Sequence, residues 1–339
     1  MAAEVRLAVV GSTGAVGQEM LKILEERDFP VKELICLADP REAGIKVSFK
    51  GEQYTVEGAS PEAFKRADIA LFAVGTDISK LLAPEAIKNN CVVIDNSYAF
   101  RLEKDVPLVV PEVNADDIKL HHGIIANPNC STIIMVVAIN PIHRAARLKR
   151  VVVSTYQAVS GAGKAGFDEL DQHILAAMQG TEPKMEVFQY PIAFNLIPHI
   201  DDFVEGGYTR EEMKMVWETR KIMHEPDLKI AATAVRVPVY RSHSESINLE
   251  TEKPISVDEV RSILSNAPGI VLQDEPESKI YPMPLYSSNK DQVFVGRIRR
   301  DISLGENGIV IWVASDQIRK GAATNAIQIG EIVVKENLY

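Results

Sequence analysis

The amino-acid sequence predicts a two-domain α/β protein, in which a doubly wound parallel sheet is followed by an α+β domain. The chain has 339 residues, and a domain usually holds roughly 100–200 residues. Short continuous apolar runs alternate with helix-like stretches at first, whereas longer, partly alternating runs follow after about residue 150. A glycine-rich loop directly follows the first apolar run. These features favour a Rossmann-like first domain and a second domain of another kind.

The first domain is predicted from buried strands that are separated by helices. Val5–Val10 has the pattern of a buried strand, the loop Gly11–Gly17 follows it, and Gln18–Arg27 has helical spacing. Because continuous apolar strands are buried on both faces, a parallel sheet covered by helices is expected. The pattern continues through the apolar runs Leu34–Ala38, Ile69–Val74 and Val92–Ile94 and the helix-like stretch Ser79–Lys88.

Longer strands with partial alternation predict a largely antiparallel sheet in the second domain. Two helices interrupt them, near Phe167–Gln179 and Thr209–His224. One long helix is predicted over Gln317–Val334, where apolar residues recur every three or four positions. The predicted strands are Val151–Tyr156, Ala231–Tyr240, Ser246–Glu250, Val293–Arg297 and Ile309–Ala314.

Charge and composition argue against several classes of function. The formal net charge is −10, whereas a nucleic-acid-binding surface needs clustered Lys and Arg. No apolar run approaches the roughly 20 residues of a membrane span, and no secretory signal is predicted. Cys36, Cys91 and Cys130 form no close pair, so neither a disulfide framework nor a zinc or other metal site is expected. A reducing cytoplasm is the expected location.

The glycine-rich loop predicts a dinucleotide site. Gly11, Gly14 and Gly17 lie between a predicted strand and a predicted helix. Small residues there let the backbone approach a pyrophosphate, and the helix N-terminus supplies N–H donors and a positive dipole. The alternative is a tight turn that binds nothing. Thr13, Ala15 and Val16 of the same loop are included in the predicted site.

The segment that should choose between the two nicotinamide dinucleotides carries mixed signals. Asp39, Arg41 and Glu42 follow the second predicted strand. An acidic residue at this distance from the glycine loop usually binds a ribose 2′-hydroxyl and favours NAD, whereas an Arg usually binds the 2′-phosphate of NADP. The residues alone therefore leave the choice between NAD and NADP open.

Cys130 is the candidate nucleophile. It follows Asn127 and Pro128 and precedes the apolar run Ile133–Ile142, so it should lie at the start of a helix. The helix dipole and free N–H groups there stabilise a thiolate, which is the nucleophilic form. Cys36 and Cys91 lie in or beside apolar runs, where a small core residue is the favoured interpretation.

Arg236 and His243 are the candidate partners of a nucleophilic cysteine. Arg236 is a cation inside a predicted strand, and such a cation needs an anion. Seven residues separate the pair, so a straight strand would direct their side chains to opposite faces. The strand must bend or end near Pro238 if both are to face one pocket, and the sequence alone does not decide this.

Several segments together resemble the bacterial aspartate-semialdehyde dehydrogenase family, in the same order from end to end of the chain. The resemblance implies a Rossmann-like domain of residues 1–129 plus 317–339, and a glyceraldehyde-phosphate-dehydrogenase-like catalytic and dimerisation domain of residues 130–316, which forms a homodimer. The segments are GSTGAVGQEML, DNSYAFR, DVPLVVPEVN, NPNCSTI, STYQAVSGAGKAG, FNLIPHIDDF, EEMKMVWETRKIM, RVPVYRSHSESIN and KGAATNAIQI.

The implied reaction is the reduction of L-aspartyl-4-phosphate by NADPH to L-aspartate 4-semialdehyde and phosphate, in the biosynthesis of lysine, threonine, methionine and isoleucine. By resemblance, Cys130 matches the nucleophile, which forms a thioester, and Gln157 matches the residue that holds the substrate beside it. Arg236 matches the arginine that binds the substrate α-carboxylate, and a bidentate guanidinium suits that task. Glu211 matches the acid that binds the amino group, and His243 matches the acid–base residue.

The resemblance also assigns the phosphate and the cofactor. Arg101 and Lys214 match the phosphate-binding pair, and Asn129, directly before the nucleophile, is included among the substrate-binding residues. Ser160 and Gly161 match a turn that contacts the cofactor.

Two departures from the family pattern concern the cofactor. The family commonly has Arg-Ser where this chain has Arg41-Glu42, and a carboxylate there would repel a 2′-phosphate. Gln317 stands where an Asn that contacts the cofactor is usual. NADP is therefore the expected cofactor, with a weaker preference over NAD than in relatives that have the Ser.

Two alternatives of different classes remain. The nearer one is a related acyl-phosphate reductase, such as N-acetyl-glutamyl-phosphate reductase or a phosphorylating dehydrogenase of the glyceraldehyde-phosphate type. The combination of Glu211 and Lys214 with Arg236 and Arg101 favours a phosphorylated amino acid instead. The other alternative is a catalytically inactive dinucleotide-binding protein, which an inert Cys130 would favour.

Overall fold

The computed structural model describes residues 4–339, and they form two compact units. The first unit contains the residues up to Asn129 together with Ala322–Tyr339, and the second contains Cys130–Gly321. The chain thus returns to the first unit at Ala322, whereas the sequence analysis put that return at residue 317.

The first unit is built on a six-stranded parallel sheet, as the continuous apolar runs predicted. Its strand order is β5-β2-β1-β6-β7-β8, and every pairing is parallel. A two-stranded hairpin of β3 and β4 is separate from it. The elements are β1 Val5–Val10, α1 Ala15–Glu26, β2 Val31–Ala38, β3 Lys46–Phe49, β4 Glu52–Thr55, β5 Glu57–Gly58, β6 Ile69–Phe72, α2 Thr76–Lys88, β7 Val92–Asp95, α3 Pro111–Asn114 and β8 Ile124–Ala126.

The first helix begins three residues earlier than predicted, inside the glycine loop. Gly14 is its N-cap and Gly17 lies in its first turn. A Cβ on Gly17 would lie 2.1 Å from the carbonyl oxygen of Gly11, so only glycine lets the helix approach the loop this closely. The helix was predicted to start at Gln18 because Gly11–Gly17 was assigned as a whole to the loop.

The second unit contains a mixed six-stranded sheet in the order β10-β9-β11-β14-β13-β12. The three central pairings are antiparallel, as predicted, whereas both edge pairings are parallel. The largely buried helix α4 packs against the strands β9, β11, β13 and β14. The elements are α4 Cys130–Ala146, β9 Leu148–Gln157, α5 Lys164–Gln179, α6 Arg210–Ile222, β10 Lys229–Arg236, β11 His243–Thr251, α7 Val257–Ser265, β12 Ile270–Leu272, α8 Pro284–Ser287, β13 Val293–Arg300 and β14 Gly308–Ser315.

The predicted strand Ala231–Tyr240 was wrong at its end. Strand β10 stops at Arg236, opposite the last residue of β9, Gln157. Pro238 follows two residues later. Proline has no backbone N–H to donate to a neighbouring strand, and it restricts the backbone angles of the residue before it. The chain therefore crosses over in Val237–Ser242 before β11 begins.

The prediction of a single C-terminal helix over Gln317–Val334 was also wrong at the start of the helix. The Asp316 carboxylate accepts hydrogen bonds from the backbone N–H groups of Ile318 and Arg319 at 2.9 and 3.2 Å, which forms a turn in place of the first helical turn. A π-helical turn, Arg319–Ala323, follows, and the regular helix α9 is Thr324–Lys335. Helix α9 is buried in the apolar core of the first unit. None of the helices within residues 4–339 is long and apolar enough to cross a membrane.

Candidate active site

Cys130 is the first residue of α4, as its sequence context predicted. It is partly exposed, whereas Cys36 and Cys91 are buried in the apolar cores of the first unit. Burial raises the pKa of each of these two thiols to about 12, so they stay protonated at neutral pH and the prediction that they are core residues is confirmed. Cys130 is thus the accessible thiol among the three.

Gly321 packs directly against Cys130, which the sequence analysis did not foresee. A Cβ on Gly321 would lie 2.9 Å from the Cβ of Cys130 and 3.3 Å from its Cα, closer than side chains tolerate. The backbone N–H of Gly321 donates to the carbonyl oxygen of Asp316 at 3.2 Å, five residues back. The wide turn therefore brings a residue without a side chain to the candidate nucleophile.

Gln157, at the end of β9, connects the start of α4 to helix α6. Its Nε2 donates to Oγ of Ser131 at 3.0 Å and to Oε1 of Glu211 at 3.2 Å. All three side chains are buried. The residue after Cys130 and the first turn of α6 are thus joined through one amide, which fixes their relative position within the second unit.

Glu211 and Lys214 form a partly buried ion pair on α6. Thr209 caps this helix through a reciprocal capping box with Glu212, so the start of the helix is well defined. Lys214 Nζ lies 3.1 Å from Oε2 of Glu211 and 2.7 Å from Oδ2 of Asp201. Burial lowers the pKa of Lys214, but the two carboxylates raise it more, so that it lies above its ordinary value. The ammonium is therefore charged at neutral pH.

Arg236, the last residue of β10, is buried beside these groups. Its Nη1 donates to the carbonyl oxygen of Ala158 at 2.7 Å. Burial lowers the pKa of the guanidinium, while Glu211 and Cys130 oppose that shift. A buried guanidinium with anionic neighbours is suited to bind a carboxylate through two parallel hydrogen bonds.

His243 begins β11 and faces the same turn as Arg236. A Cβ on Gly161 would lie 2.7 Å from Nη1 of Arg236 and 3.5 Å from Cε1 of His243. Arg236 and His243 would face opposite sides of one straight strand. Because β10 ends before Pro238, both side chains instead lie next to Gly161. Ser242 contributes a positive φ of 72° directly before His243.

The hydrogen bonds of His243 define its tautomer. The backbone N–H of Ala158 donates to Nδ1 at 3.1 Å, so Nδ1 carries no proton, and the proton of the neutral ring is on Nε2. Burial lowers the pKa of His243 well below 6.5, and the nearby Arg236 lowers it further. Nε2 has no hydrogen-bond partner among residues 4–339. His243 thus presents a neutral ring with one free N–H donor.

Ser160, Gly161 and Gln317 lie together at the same turn. The amide nitrogen of Gln317 donates to Oγ of Ser160, and its Oε1 accepts the backbone N–H of Ser242 at 2.8 Å. Both the nitrogen and the oxygen of the Gln317 amide therefore form hydrogen bonds within the second unit. They join the turn that contains Ser160 to Ser242, the residue before His243.

The glycine loop borders a cleft of about 510 Å³ in the first unit. Gly11 has a positive φ of 86°, and a Cβ there would lie 2.4 Å from the carbonyl oxygen of Ala73. Gly11, Thr13, Gly14 and Glu42 line the cleft. Ala15, Val16 and Gly17 instead form the first turn of α1, and Arg41 is not among the lining residues.

The two remaining predicted residues belong to the first unit. Arg101 is buried and donates from Nη2 to the carbonyl oxygen of Asn96 at 2.7 Å. Asn129 is buried directly before Cys130 in the chain. Nine predicted residues are grouped with one another in the second unit: Cys130, Gln157, Ser160, Gly161, Glu211, Lys214, Arg236, His243 and Gln317.

Comparison with known proteins identifies the family. The family model described as "Semialdehyde dehydrogenase, NAD binding domain" matches residues 6–121, and that described as "Semialdehyde dehydrogenase, dimerisation domain" matches residues 139–320. The chain is 56% identical to the aspartate-semialdehyde dehydrogenase of Aquifex aeolicus over 98% of this chain and 99% of the relative. It is 52% identical to that of Bacillus subtilis over 98% of each chain.

Solved structures agree with the sequence comparisons. The crystal structure of aspartate semialdehyde dehydrogenase II from Vibrio cholerae, complexed with ASA, matches with a TM-score of 0.96 and 45% identity over 98% of this chain and 99% of that one. The predicted combination of a nucleotide-binding domain and a dimerisation domain is therefore confirmed. The chain belongs to the aspartate-semialdehyde dehydrogenase family.

Proposed function

We propose that this chain reduces L-aspartyl-4-phosphate to L-aspartate 4-semialdehyde and phosphate, in the biosynthesis of lysine, threonine, methionine and isoleucine. The observation that carries the proposal is the grouping of a helix-start thiol with Arg236, the Glu211–Lys214 pair and a neutral His243 in one unit. The relative from Vibrio cholerae, which was solved with ASA, supports the same substrate class.

The substrate would be held by charge complementarity at both ends. The buried guanidinium of Arg236 suits the α-carboxylate, and the Glu211 carboxylate suits the α-ammonium group. Gln157 donates to Oε1 of Glu211, so it fixes the direction of that carboxylate. Lys214 is the proposed cationic partner of the phosphate in the second unit, and the resemblance assigns the same task to Arg101. A neutral aldehyde without an amino group would lack the ammonium that contacts the Glu211 carboxylate, and the enzyme would therefore discriminate against it.

The chemistry would take place on Cys130. Its thiolate attacks the acyl carbon, the bond from carbon to the phosphate oxygen breaks, and the products are a thioester and inorganic phosphate. When bound, the reduced nicotinamide dinucleotide supplies a hydride to the thioester carbonyl. The resulting oxyanion collapses, the carbon–sulfur bond breaks, and the aldehyde leaves as the thiolate is restored. Nε2–H of His243 donates to the oxygen or sulfur atom that gains negative charge.

The cleft in the first unit fits a dinucleotide. Gly11 and Gly14 line it without side chains, next to the N-terminus of α1, where backbone N–H groups bind pyrophosphate. The apolar residues Ile78, Leu81 and Leu82 form another part of the wall, which suits a planar ring. The resemblance predicts NADPH as the reductant.

We also propose that two copies associate, because the match over residues 139–320 is to a dimerisation domain. Light scattering after gel filtration tests this association, and a monomer at micromolar concentration would contradict it.

The proposed reaction is tested in the reverse direction, with L-aspartate 4-semialdehyde, phosphate and oxidised dinucleotide, by following the absorbance of the reduced cofactor. Turnover with this aldehyde is expected to exceed that with N-acetyl-glutamate semialdehyde or glyceraldehyde 3-phosphate by at least about a hundredfold, because only the first offers both a carboxylate to Arg236 and an ammonium group to Glu211. Equal or higher turnover with either rival would contradict the proposal.

A further inference from the structure

Among residues 4–339, those that line the dinucleotide cleft include two carboxylates and no cation. Fifteen described residues line the cleft, and among these the charged ones are Asp39 and Glu42. Both belong to the turn after β2, which is the position where dinucleotide-binding folds recognise the adenosine ribose. This wall therefore determines whether a 2′-hydroxyl or a 2′-phosphate is accommodated.

Glu42 is fixed toward the cleft and does not lie free in solvent. Oγ1 of Thr13, in the glycine loop, donates to Oε2 of Glu42 at 2.9 Å, and both residues line the cleft. The carboxylate is thus fixed between the turn after β2 and the loop that would hold the pyrophosphate. A serine at this position would bring no charge.

Arg41, the expected partner of a 2′-phosphate, is bound to its neighbour. Its Nε and Nη2 donate to the two carboxylate oxygens of Asp39 at 2.9 and 2.8 Å, and 88% of its side chain is exposed. The Arg41 guanidinium in turn lowers the pKa of Asp39 below its ordinary value, so Asp39 is charged at neutral pH. The fork of Nε and Nη2, which would give a phosphate two parallel hydrogen bonds, is thus occupied by Asp39.

We propose that Asp39 and Glu42 adapt this cleft to a ribose with a free 2′-hydroxyl, so that the chain binds NADH as well as NADPH. Two carboxylates are acceptors for the ribose hydroxyl groups, whereas they repel a 2′-phosphate. Arg41 offsets that repulsion only in part, because its charge is already paired with the Asp39 carboxylate. The use of either dinucleotide as the reductant rests on the proposed function, whereas the binding of the dinucleotides does not.

Direct binding measurements test the inference without turnover. Isothermal titration of the full chain with NADPH and with NADH should give dissociation constants within about tenfold of each other, since the opposing charged contacts are of similar size. Preference for NADPH by more than tenfold would overturn the inference. Because no substrate is present, the result stands whether or not the chain turns over aspartate semialdehyde.

Substitutions separate charge from shape. Glu42→Gln keeps the length of the side chain and its contact with Thr13 but removes the charge, and Glu42→Ser removes both. Both variants should bind NADPH about threefold to tenfold more tightly, the range expected for removing one screened like charge, with NADH changed by less than threefold. Glu52→Gln, on the exposed strand β4, makes the same change in net charge and should leave both constants unchanged. Unchanged NADPH binding in both Glu42 variants, or an equal gain in Glu52→Gln, would overturn the role of Glu42.

Discussion

The backbone N–H of Ala158 donates to Nδ1 of His243 at 3.1 Å. The carbonyl oxygen of Ala158 accepts from Nη1 of Arg236 at 2.7 Å. One residue after β9 thus orients both the candidate acid and the candidate carboxylate-binding group. A donor at Nδ1 leaves only Nε2 able to carry the proton of a neutral ring.

His243 should therefore be a neutral hydrogen-bond donor throughout the neutral range. Burial, with a smaller effect of Arg236, lowers its pKa well below 6.5, so it should not titrate between pH 6 and 8. Nitrogen NMR of the histidine-labelled protein, assigned with His243→Gln, measures this directly. We expect the signals of a neutral ring with the proton on Nε2 at both ends of the range, and a cationic ring at pH 6 would contradict the assignment.

Arg236→Lys should lower kcat/KM for aspartate semialdehyde by about tenfold to a hundredfold. Lysine keeps the charge but loses the planar pair of donors, and a hydrogen bond to a charged group is worth about 1.5–3 kcal/mol. Steady-state kinetics measure the effect. Arg261→Lys, at the half-exposed pair with Asp274, serves as the control and should behave as the unmodified chain does. Equal kinetics in the two variants would mean that Arg236 has a structural role only.

Gly321→Ala should damage the nucleophile without affecting cofactor binding. The added methyl group would lie 2.9 Å from the Cβ of Cys130, so α4 or the turn must shift, and misplacement by about 1 Å can cost about a hundredfold in rate. We expect a large loss of kcat and a slower reaction of Cys130 with iodoacetamide, with dinucleotide affinity retained. Wild-type kcat in this variant would show that the contact is relieved harmlessly.

Glu245 should lower the free energy of unfolding of the chain as the pH rises. The residue is fully buried in β11, and neither carboxylate oxygen has a hydrogen-bond partner among residues 4–339. Burial raises its pKa well above 4.5. The unfolded chain therefore loses this proton at lower pH than the folded chain does, and the stabilisation that is present below the ordinary pKa is lost as the pH rises toward the folded one.

Glu245→Gln removes that dependence while it keeps the size of the side chain. Relative to the variant, the unfolding free energy of the unmodified chain should fall by about 1.4 kcal/mol per pH unit above a pH of about 4.3, until the raised pKa is reached. Urea unfolding of both proteins across pH 5–8 measures the difference. A difference that does not change with pH would show that Glu245 is paired in solution.

Features that depend on local pattern could be predicted from the sequence. Val5–Val10 is a strand with the predicted bounds, because a short apolar run beside a glycine loop leaves few alternatives. Pro128 and the apolar run after it located the start of the helix at Cys130. The core positions of Cys36 and Cys91 followed from the apolar residues around them.

Features that depend on contacts between distant residues could not be predicted. The convergence of Arg236 and His243 requires the end of β10 and a crossing segment, which the spacing of seven residues left open. Gly321 has no distinguishing sequence signal, because its importance comes from the position of Cys130, which is 191 residues earlier in the chain. Glu245 lies on the same face of β11 as the buried Ile247 and Leu249, but the predicted strand began at Ser246 and did not include it.

The central claim, a thioester on Cys130, is tested most directly by mass spectrometry of the protein incubated with L-aspartyl-4-phosphate in the absence of any dinucleotide. Without hydride, the acyl-enzyme should accumulate, because its reduction is blocked while phosphate is released. We predict a mass increase of one aspartyl group per chain, located on the peptide that contains Cys130 and absent from Cys130→Ala. The absence of an adduct in the unmodified chain, or the same adduct in Cys130→Ala, would contradict the account.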